Sequence, residues 1–248
     1  MPRRARGRSP KTKAAGAAAA EPIRGKPAQG EPARKAPEPA PPPASSVDQF
    51  LWDRLYHTGL YRKHWEYDFP SQELVALLAA RRHLFDAARQ KATPASLDLG
   101  CGTGTEAIYL AEQGFESYGI DISPAGLALA YDKMRRRGVQ VEFRRGSVLE
   151  LPYAKGKFSF VNDRGCFHHI ATRDRPQYAR EVARVMRRGG VFLLRGADAR
   201  TEEEFVPLQG DELVALFQSD FHLGPMQSIQ MVSNAGTLPA LLAVLERK

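Results

Sequence analysis

The chain has 248 residues, of which 36 are Lys or Arg and 28 are Asp or Glu, giving a formal net charge of +8. This length suits one sizeable domain with an appendage. No segment reaches the ~18 consecutive apolar residues that span a membrane, and the N-terminus lacks the apolar core of a secretory signal. Two cysteines predict a reducing compartment without a disulfide framework. We therefore expect a cytoplasmic, monomeric protein that does not contact membranes.

Residues 1–46 differ in composition from the rest of the chain. They are mostly Ala, Pro, Arg, Lys and Gly, with Ile23 as the one large aliphatic residue and no aromatic residue. Such a segment buries too little apolar surface to offset the entropy of ordering, so it is predicted to be disordered. Its 10 Lys or Arg and 3 Asp or Glu give +7, which leaves only +1 for residues 47–248. This basic tail either contacts nucleic acid or an anionic surface weakly, or is a solvated extension.

The predicted folded domain, residues 47–248, begins with an aromatic segment at residues 47–70. Two Trp, three Tyr and two Phe lie between residues 50 and 69. These rings either pack on the sheet as part of the core or close over a ligand as a lid, since aromatic faces attract cations and a lid excludes water. A helix is predicted to follow, from Ser71 to about Gln90.

A glycine-rich stretch follows the next apolar run. Leu97-Asp98-Leu99 leads into Gly100-Cys101-Gly102-Thr103-Gly104, and a helix-compatible run begins at Glu106. This pattern predicts a strand, a tight turn and a helix whose free N–H groups face a small cofactor. The third small residue of the dinucleotide fingerprint would fall at Thr105, which does not fit. Asp98 beside the loop favours a cation over a pyrophosphate, although an ordinary glycine-rich turn is the alternative.

A second acidic residue follows the next apolar strand. Asp121 ends the run Ser117–Ile122 and lies 23 residues after Asp98, near the spacing at which an acid meets a ribose. Ser123 and Pro124 then predict the start of a helix with one buried face.

Strands and helices alternate through the rest of the chain, which predicts a mainly parallel α/β sheet with helices on both faces. Ligands of such sheets bind at the carboxyl ends of the strands, where Asp98, Asp121, Ser147 and Asp163 fall. The further predicted strands are Val139–Phe143, Phe158–Asn162, Val191–Leu194, Phe221–Val232 and Pro239–Arg247. The last two are expected to form an antiparallel hairpin, and the further predicted helices are Pro176–Arg188 and Asp211–Gln218.

The run Cys166-Phe167-His168-His169 follows the fourth strand. Cys and His both bind zinc, but the spacing is crowded and no second cluster completes four ligands, so no metal site is predicted. A general-base role for His168 or His169 suits the near-neutral pKa of histidine. A structural histidine that caps the next segment is the alternative.

Several of these motifs resemble a known family. The acid followed by G-x-G-x-G resembles the first motif of class I methyltransferases that depend on S-adenosylmethionine. Asn162-Asp163-Arg164-Gly165 lacks the N-P-P-Y of enzymes that methylate nucleic-acid amino groups. Together with Trp52-Asp53-x-x-Tyr56-x-x-Gly59 and Trp65-Glu66, the D-R-G triplet resembles the thiopurine and thiol methyltransferase group.

The resemblance implies a Rossmann-like, seven-stranded sheet of order 3-2-1-4-5-7-6 and S-adenosylmethionine as cofactor. It implies that the loop residues Gly100, Cys101, Gly102 and Gly104 hold the methionine part. It further implies that Asp121 holds the ribose and that Ile122, Ser147 and Val148 border the adenine. Trp52, Trp65 and Arg164 would line the entrance near the sulfonium and the acceptor.

The expected reaction is methyl transfer to a small-molecule acceptor such as a thiol or another soft nucleophile. Alternatives are a methyltransferase of RNA or protein that uses the basic tail as a tether, and a non-catalytic cofactor-binding module. A nucleotide-dependent oxidoreductase is disfavoured by Thr105.

Overall fold

The computed structural model describes residues 49–81, 93–198 and 206–248. The predictions for the tail at residues 1–46, for the first two residues of the aromatic segment and for the end of the helix after Arg81 lie outside the described residues.

One mixed sheet forms the centre of the described part of the chain. Its strands are β1 Ala95–Leu99, β2 Glu116–Asp121, β3 Val141–Arg145, β4 Phe158–Arg164, β5 Met186–Ala197, β6 Phe221–Leu223, β7 Gln227–Ser233 and β8 Gly236–Arg247. Their order is β3-β2-β1-β4-β5-β8-β6, with β7 also paired to β8. The first five strands are parallel to one another, and β8 is antiparallel to β5, β6 and β7.

Seven α-helices lie within the described residues. They are α1 Gln49–His57, α2 Tyr61–His64, α3 Gln72–Ala80, α4 Thr105–Glu112, α5 Pro124–Arg137, α6 Arg175–Val185 and α7 Gly210–Phe217. Ser123 caps α5 as predicted, because its Oγ accepts the Gly126 N–H at 3.0 Å. None of these helices is long and apolar enough to cross a membrane.

The predicted fold class, strand order and C-terminal antiparallel strands are confirmed, with differences at the edges of elements. The predicted strand Phe221–Val232 is wrong as one element, because it is interrupted at Gly224–Met226 and its two parts pair with different portions of β8. Pro225 in this interruption has no N–H to donate to a strand ladder. The predicted third strand, Val139–Phe143, is observed two residues later.

The predicted helix Pro176–Arg188 also ends too late. The helix stops at Val185, and Met186 already has the extended ψ of 138° that begins β5. Gly189 and Gly190, which directly follow the predicted helix, lie inside β5, where the pairing with β4 jumps from Met186 to Val191. Gly189 has a φ of +69°, a conformation that glycine adopts without a Cβ penalty. The glycines therefore form a bulge in a strand.

Both faces of the sheet are covered. All five residues of β1 are buried, as a parallel strand between two helical layers should be. Phe158, Val161 and Phe192 pack towards α6 and α7, whereas Phe160 and Leu193 pack towards α3. Burial of each such side chain stabilises the fold by about 1.5–3 kcal/mol. The parallel strands thus bring the carboxyl ends of β1, β2 and β4 to one edge of a rigid sheet.

Candidate functional site

The glycine loop joins β1 to α4 at this edge. Gly104 closes the turn by donating its N–H to the Cys101 carbonyl at 2.8 Å. A Cβ on Gly102 would lie 2.6 Å from the Tyr56 hydroxyl, and a Cβ on Gly100 would lie 2.7 Å from the Cys166 Cβ. The two glycines are therefore needed because the aromatic segment and the turn after β4 both approach the loop backbone closely.

Asp121 joins the loop to β2. Its Oδ2 accepts the Gly102 N–H and its Oδ1 accepts the Ser123 N–H, both at 2.8 Å. Burial raises the pKa of this carboxyl to about 6. A carboxylate has about four lone-pair sites, so Asp121 holds the loop in place and retains capacity for further donors.

Asp98 belongs to a buried ionic group beneath the loop. Its Oδ1 accepts from Asn162 Nδ2 at 2.7 Å, and Asn162 in turn accepts from Arg195. Arg195 also donates to Ser71 Oγ and lies 3.7 Å from Glu106 Oε2, which accepts from Ser71 Oγ at 3.2 Å. Burial and the charge of Glu106 raise the pKa of Asp98 to about 8. We call these five residues the core cluster.

A second ionic group lies above the loop. Lys133 of α5 places its Nζ 2.6 Å from Glu66 Oε1, 2.9 Å from Thr103 Oγ1 and 2.7 Å from Thr105 Oγ1. Thr103 Oγ1 also lies 2.8 Å from the Glu66 carboxylate. We call Glu66, Thr103, Thr105 and Lys133 the lid cluster, because it joins the aromatic segment to the glycine loop.

The aromatic segment lies over the loop as an interlocked group of rings. Trp52 and Trp65 are half-buried and meet edge to face at 5.4 Å, and Trp65 meets Tyr56 at 5.9 Å. Asp53 of α1 accepts from the Ser123 hydroxyl and from the Ala125 N–H at 3.3 Å. The segment is thus fixed to the start of α5 by Asp53.

Asp163 holds the turn after β4. Its Oδ1 accepts the Cys166 N–H at 2.9 Å and the Phe167 N–H at 3.3 Å, and its Oδ2 accepts from the Tyr178 hydroxyl. Burial raises the pKa of this carboxyl to about 6. Oδ1 therefore caps the turn that carries the two histidines, and Oδ2 joins Asp163 to α6.

His168 and His169 form a hydrogen-bonded pair on that turn. His168 Nδ1 accepts the Ala197 N–H at 2.9 Å, and the two Nε2 atoms are 3.1 Å apart. His169 meets Trp52 edge to face at 4.7 Å. Burial lowers the pKa of His169 to about 4 and that of His168 well below its usual value. Both nitrogens of His168 are engaged, so it could bind a metal only by losing one of these contacts.

Arg164 joins the end of β4 to β7. Its guanidinium donates to the Val232 carbonyl of β7, and in the turn after β7 the Asn234 amide donates to the Arg62 carbonyl at 2.9 Å. The β7–β8 hairpin therefore contacts both the end of β4 and the aromatic segment.

The remaining predicted residues lie beside Asp121. The Asp121 carbonyl accepts the Gly146 N–H at 2.9 Å, which places the buried Ser147 and Val148 next to the end of β2. Ile122 is half-buried at the same edge.

The structure thus brings most predicted residues to one edge of the sheet and adds others. Three residues were not identified from the sequence as part of the site: Lys133, Tyr178 and Arg195. The only sequence signal for Arg195 is an arginine at the end of the apolar run Val191–Leu194, and no local pattern marks Lys133 or Tyr178 as site residues.

The part of the chain that forms this edge is similar in sequence to known proteins. A family model described as a methyltransferase domain matches residues 97–190, which contain the loop, Asp121 and the histidine pair. An uncharacterized methyltransferase of Schizosaccharomyces pombe is 31% identical over 120 residues, covering 48% of this chain and 83% of that protein. This chain belongs to the class I methyltransferases.

A second methyltransferase is similar in sequence over a shorter span, and a solved methyltransferase structure has the same fold. A demethylmenaquinone methyltransferase of Thermus thermophilus is 38% identical over 112 residues, 44% of this chain and 50% of that protein. The structure of magnesium protoporphyrin IX methyltransferase from Synechocystis, with bound S-adenosylhomocysteine, has a TM-score of 0.61 at 15% identity, covering 80% of this chain and 98% of that one.

Proposed function

We propose that this methyltransferase uses S-adenosylmethionine to methylate a small-molecule acceptor. The observation that carries the cofactor proposal is the charge around the loop. The Asp121 carboxylate lies beside the loop and accepts the Gly102 N–H, while Lys133, which contacts the loop, is already paired with Glu66 at 2.6 Å. A pyrophosphate would add negative charge to this setting, whereas a sulfonium and an ammonium would be attracted to it.

In this proposal, different residues of the edge bind different parts of the cofactor. When bound, S-adenosylmethionine supplies a methyl group activated by its sulfonium. The loop backbone and Asp98 face the charged methionine part, and Asp121 accepts from the ribose with its remaining lone pairs. The residues assigned to the methionine part are Gly100, Cys101, Gly102 and Gly104, and those assigned to the adenine are Ile122, Ser147 and Val148.

We assign residues 47–70 the role of a lid. Trp52 and Trp65 meet edge to face, and Trp65 contacts Tyr56, whose hydroxyl approaches Gly102 of the loop. Aromatic faces attract cations by about 0.5–2 kcal/mol, depending on solvation. The lid would exclude water and hold the acceptor in line with the methyl group. Alignment of two reactants can lower a barrier by ~7–11 kcal/mol.

The proposed acceptor is a thiol or another soft nucleophile. The D-R-G triplet and the tryptophans that resemble the thiopurine and thiol group support this choice. Asp163 and Arg164 serve it indirectly: Asp163 caps the histidine turn, and Arg164 joins β4 to the hairpin.

Calorimetry with S-adenosylmethionine, its demethylated product and NAD tests the cofactor proposal. We expect binding of the first two and none of NAD. Asp121→Asn should weaken cofactor binding by about 1–3 kcal/mol, the scale of hydrogen bonds to a charged group. The exposed Asp132 of α5 gives the matched control Asp132→Asn, which should bind as the parent does. Binding of NAD alone would overturn the proposal.

Methyl transfer to a panel of thiols, selenols, phenols and amines tests the acceptor proposal. Thiols and selenols should turn over fastest. Cofactor binding without turnover of any member would instead indicate a non-catalytic cofactor-binding module.

A second candidate is methylation of RNA or protein with residues 1–46 as a tether. The net charge of +7 on those residues favours it, because basic segments bind anionic polymers with salt-dependent affinity. RNA binding that weakens steeply with salt and is lost on deletion of residues 1–46 would support this candidate over the small-molecule acceptor.

A further inference from the structure

The histidine pair after β4 was a candidate general base, and its hydrogen bonds define what each ring can do. The Ala197 N–H can only donate, so His168 Nδ1, 2.9 Å away, must accept and carries no proton. A neutral imidazole with an unprotonated Nδ1 carries its proton on Nε2. His168 therefore donates from Nε2 to the His169 Nε2 at 3.1 Å.

The consequence for His169 follows directly. Its Nε2 accepts from His168, so its own proton lies on Nδ1. To act as a base through Nε2, His169 would have to displace the His168 N–H, and His168 cannot reverse its direction without losing the Ala197 amide. Each ring is thus fixed in one neutral tautomer by the backbone of β5.

The surroundings of the pair also oppose a second proton. His168 is buried, and the Arg175 guanidinium adds a positive charge that lowers the His168 pKa. Asp163, the acid on the same turn, has both oxygens engaged by Cys166, Phe167 and Tyr178. The Cys166 thiol has its pKa raised by burial and by Asp163, so it stays protonated near neutral pH.

We infer that the His168–His169 pair is a fixed neutral wall of the acceptor site, and that the enzyme methylates acceptors that arrive already nucleophilic, thiolates and selenolates above all. This inference rests on the proposed function. In transfer to a thiolate, the acceptor sulfur forms the new S–C bond as the sulfonium S–C bond breaks, and the electron pair of the broken bond stays on the departing sulfur. The two charges cancel and no proton moves, so this step needs no base.

The pH dependence of kcat/KM for acceptors of different acidity tests the inference. Suitable probes are 4-nitrobenzenethiol, benzenethiol and 2-mercaptoethanol, in order of decreasing acidity. The rising limb of kcat/KM should move to higher pH along this series, following the pKa of each acceptor. A limb at one pH for all three acceptors would overturn the inference, because it would report a base on the enzyme.

Variants of His169 distinguish a ring that only lines the acceptor site from one that acts as a general base. His169→Phe keeps the ring beside Trp52 and should lower kcat/KM by less than about tenfold, whereas loss of a general base costs about 10²–10⁴-fold. His169→Asn retains a donor near the Nδ1 position and should fall between His169→Phe and the parent. A loss above a hundredfold in both variants, with loss of the rising limb, would contradict the inference.

Nitrogen NMR of the imidazole rings in the free protein gives a readout that needs no acceptor. Between pH 5.5 and 8, both rings should stay neutral, with the proton on Nε2 of His168 and on Nδ1 of His169. His168→Asn should release His169 into a mixture of tautomers. Titration of either ring in this range would overturn the inference, whereas fixed tautomers with no methyl transfer to any probe would count against the proposed function alone.

Discussion

The core cluster and the lid cluster hold the same glycine loop from opposite sides, and they differ in their access to water. The Arg195 side chain in the core cluster is 0% exposed and is joined to groups from β1, β4, α4 and the residue before α3. In the lid cluster, the Lys133 and Glu66 side chains are 17% and 10% exposed. The two acids, Glu106 and Glu66, are each 10% exposed, so the clusters differ in their cations: Arg195 is sealed inside the fold, and Lys133 retains contact with solvent.

This difference separates a structural role from a dynamic one. A sealed charge pays a desolvation penalty of several kcal/mol that only its partners offset, so removal of one partner leaves an uncompensated charge. A pair with solvent access can exchange its partners for water at lower cost. The core cluster therefore fixes the strand ends, while the lid cluster suits a lid that opens and closes.

The largest expected effect comes from the core cluster. Arg195→Met should lower the free energy of unfolding by about 3–5 kcal/mol, because Glu106 loses its buried counter-charge and Ser71 and Asn162 lose their donor. Denaturant unfolding measures this change. Arg187 lies on the same strand with its side chain exposed, so Arg187→Met should stay within about 0.5 kcal/mol of the parent. A loss below about 1 kcal/mol for Arg195→Met would remove the distinction between the clusters.

The lid cluster should respond less in stability and more in function. Lys133→Met and Glu66→Gln should each lower stability by about 1–3 kcal/mol and raise KM for the methyl donor. Because the groups touch, the double variant should show a coupling of about 0.5–3 kcal/mol. Arg136→Met, an exposed neighbour on α5, is the control. Strictly additive losses with an unchanged KM would show that this cluster does not couple the lid to the loop.

A smaller expected effect is the dependence of stability on pH, which should differ between the two clusters. The pKa of Asp98 is raised to about 8, so between pH 6.5 and 8 the folded chain holds a proton that the unfolded chain, with a pKa near ~3.9, has lost. Stability should therefore fall as pH rises through this range, by up to about 1.4 kcal/mol per pH unit.

Asp98→Asn should flatten that slope, whereas Glu66→Gln in the lid cluster should leave it in place. Thermal or denaturant unfolding at several pH values makes the measurement. A stability that stays level or rises over the same range in the parent protein would contradict this account of Asp98.

The smallest expected effect is that of residues 1–46. Both clusters consist of residues between 66 and 195, so deletion of residues 1–46 should leave the melting temperature and the turnover of a small acceptor unchanged. A truncated protein that melts several degrees lower would show that these residues contribute to the folded domain.

The edge of the sheet that carries the glycine loop could be predicted because its signals are local. The glycines, Asp121 and the Ser123 cap each occur beside the strand or helix that they terminate, so spacing alone assigned them to one edge. The strand order followed from family resemblance. The errors lay at element boundaries: β3 begins two residues later than predicted, and Gly189 forms a bulge in β5 where the predicted helix had not yet ended.

The contacts around the histidine pair and Arg164 could not be predicted because they join distant parts of the chain. Trp52 meets His169, and Arg164 reaches Val232. Arg195 could not be identified for a related reason, because its partners Ser71, Glu106 and Asn162 come from distant parts of the chain. The contact of Arg164 with a strand 68 residues further along the chain has no local sequence signal.

The position of β8 in the sheet has a consequence for synthesis of the chain. Buried β5 pairs with β8, with Val191 opposite Glu246 and Ala197 opposite Ala240. At ribosomal rates of ~5–20 residues per second, one edge of β5 stays unpaired for seconds before its antiparallel neighbour β8 has been synthesised. During this interval a hydrophobic strand exposes unpaired backbone groups, the feature that invites aggregation. The nascent protein should therefore depend most on chaperones after β5 is complete and before β8 has emerged.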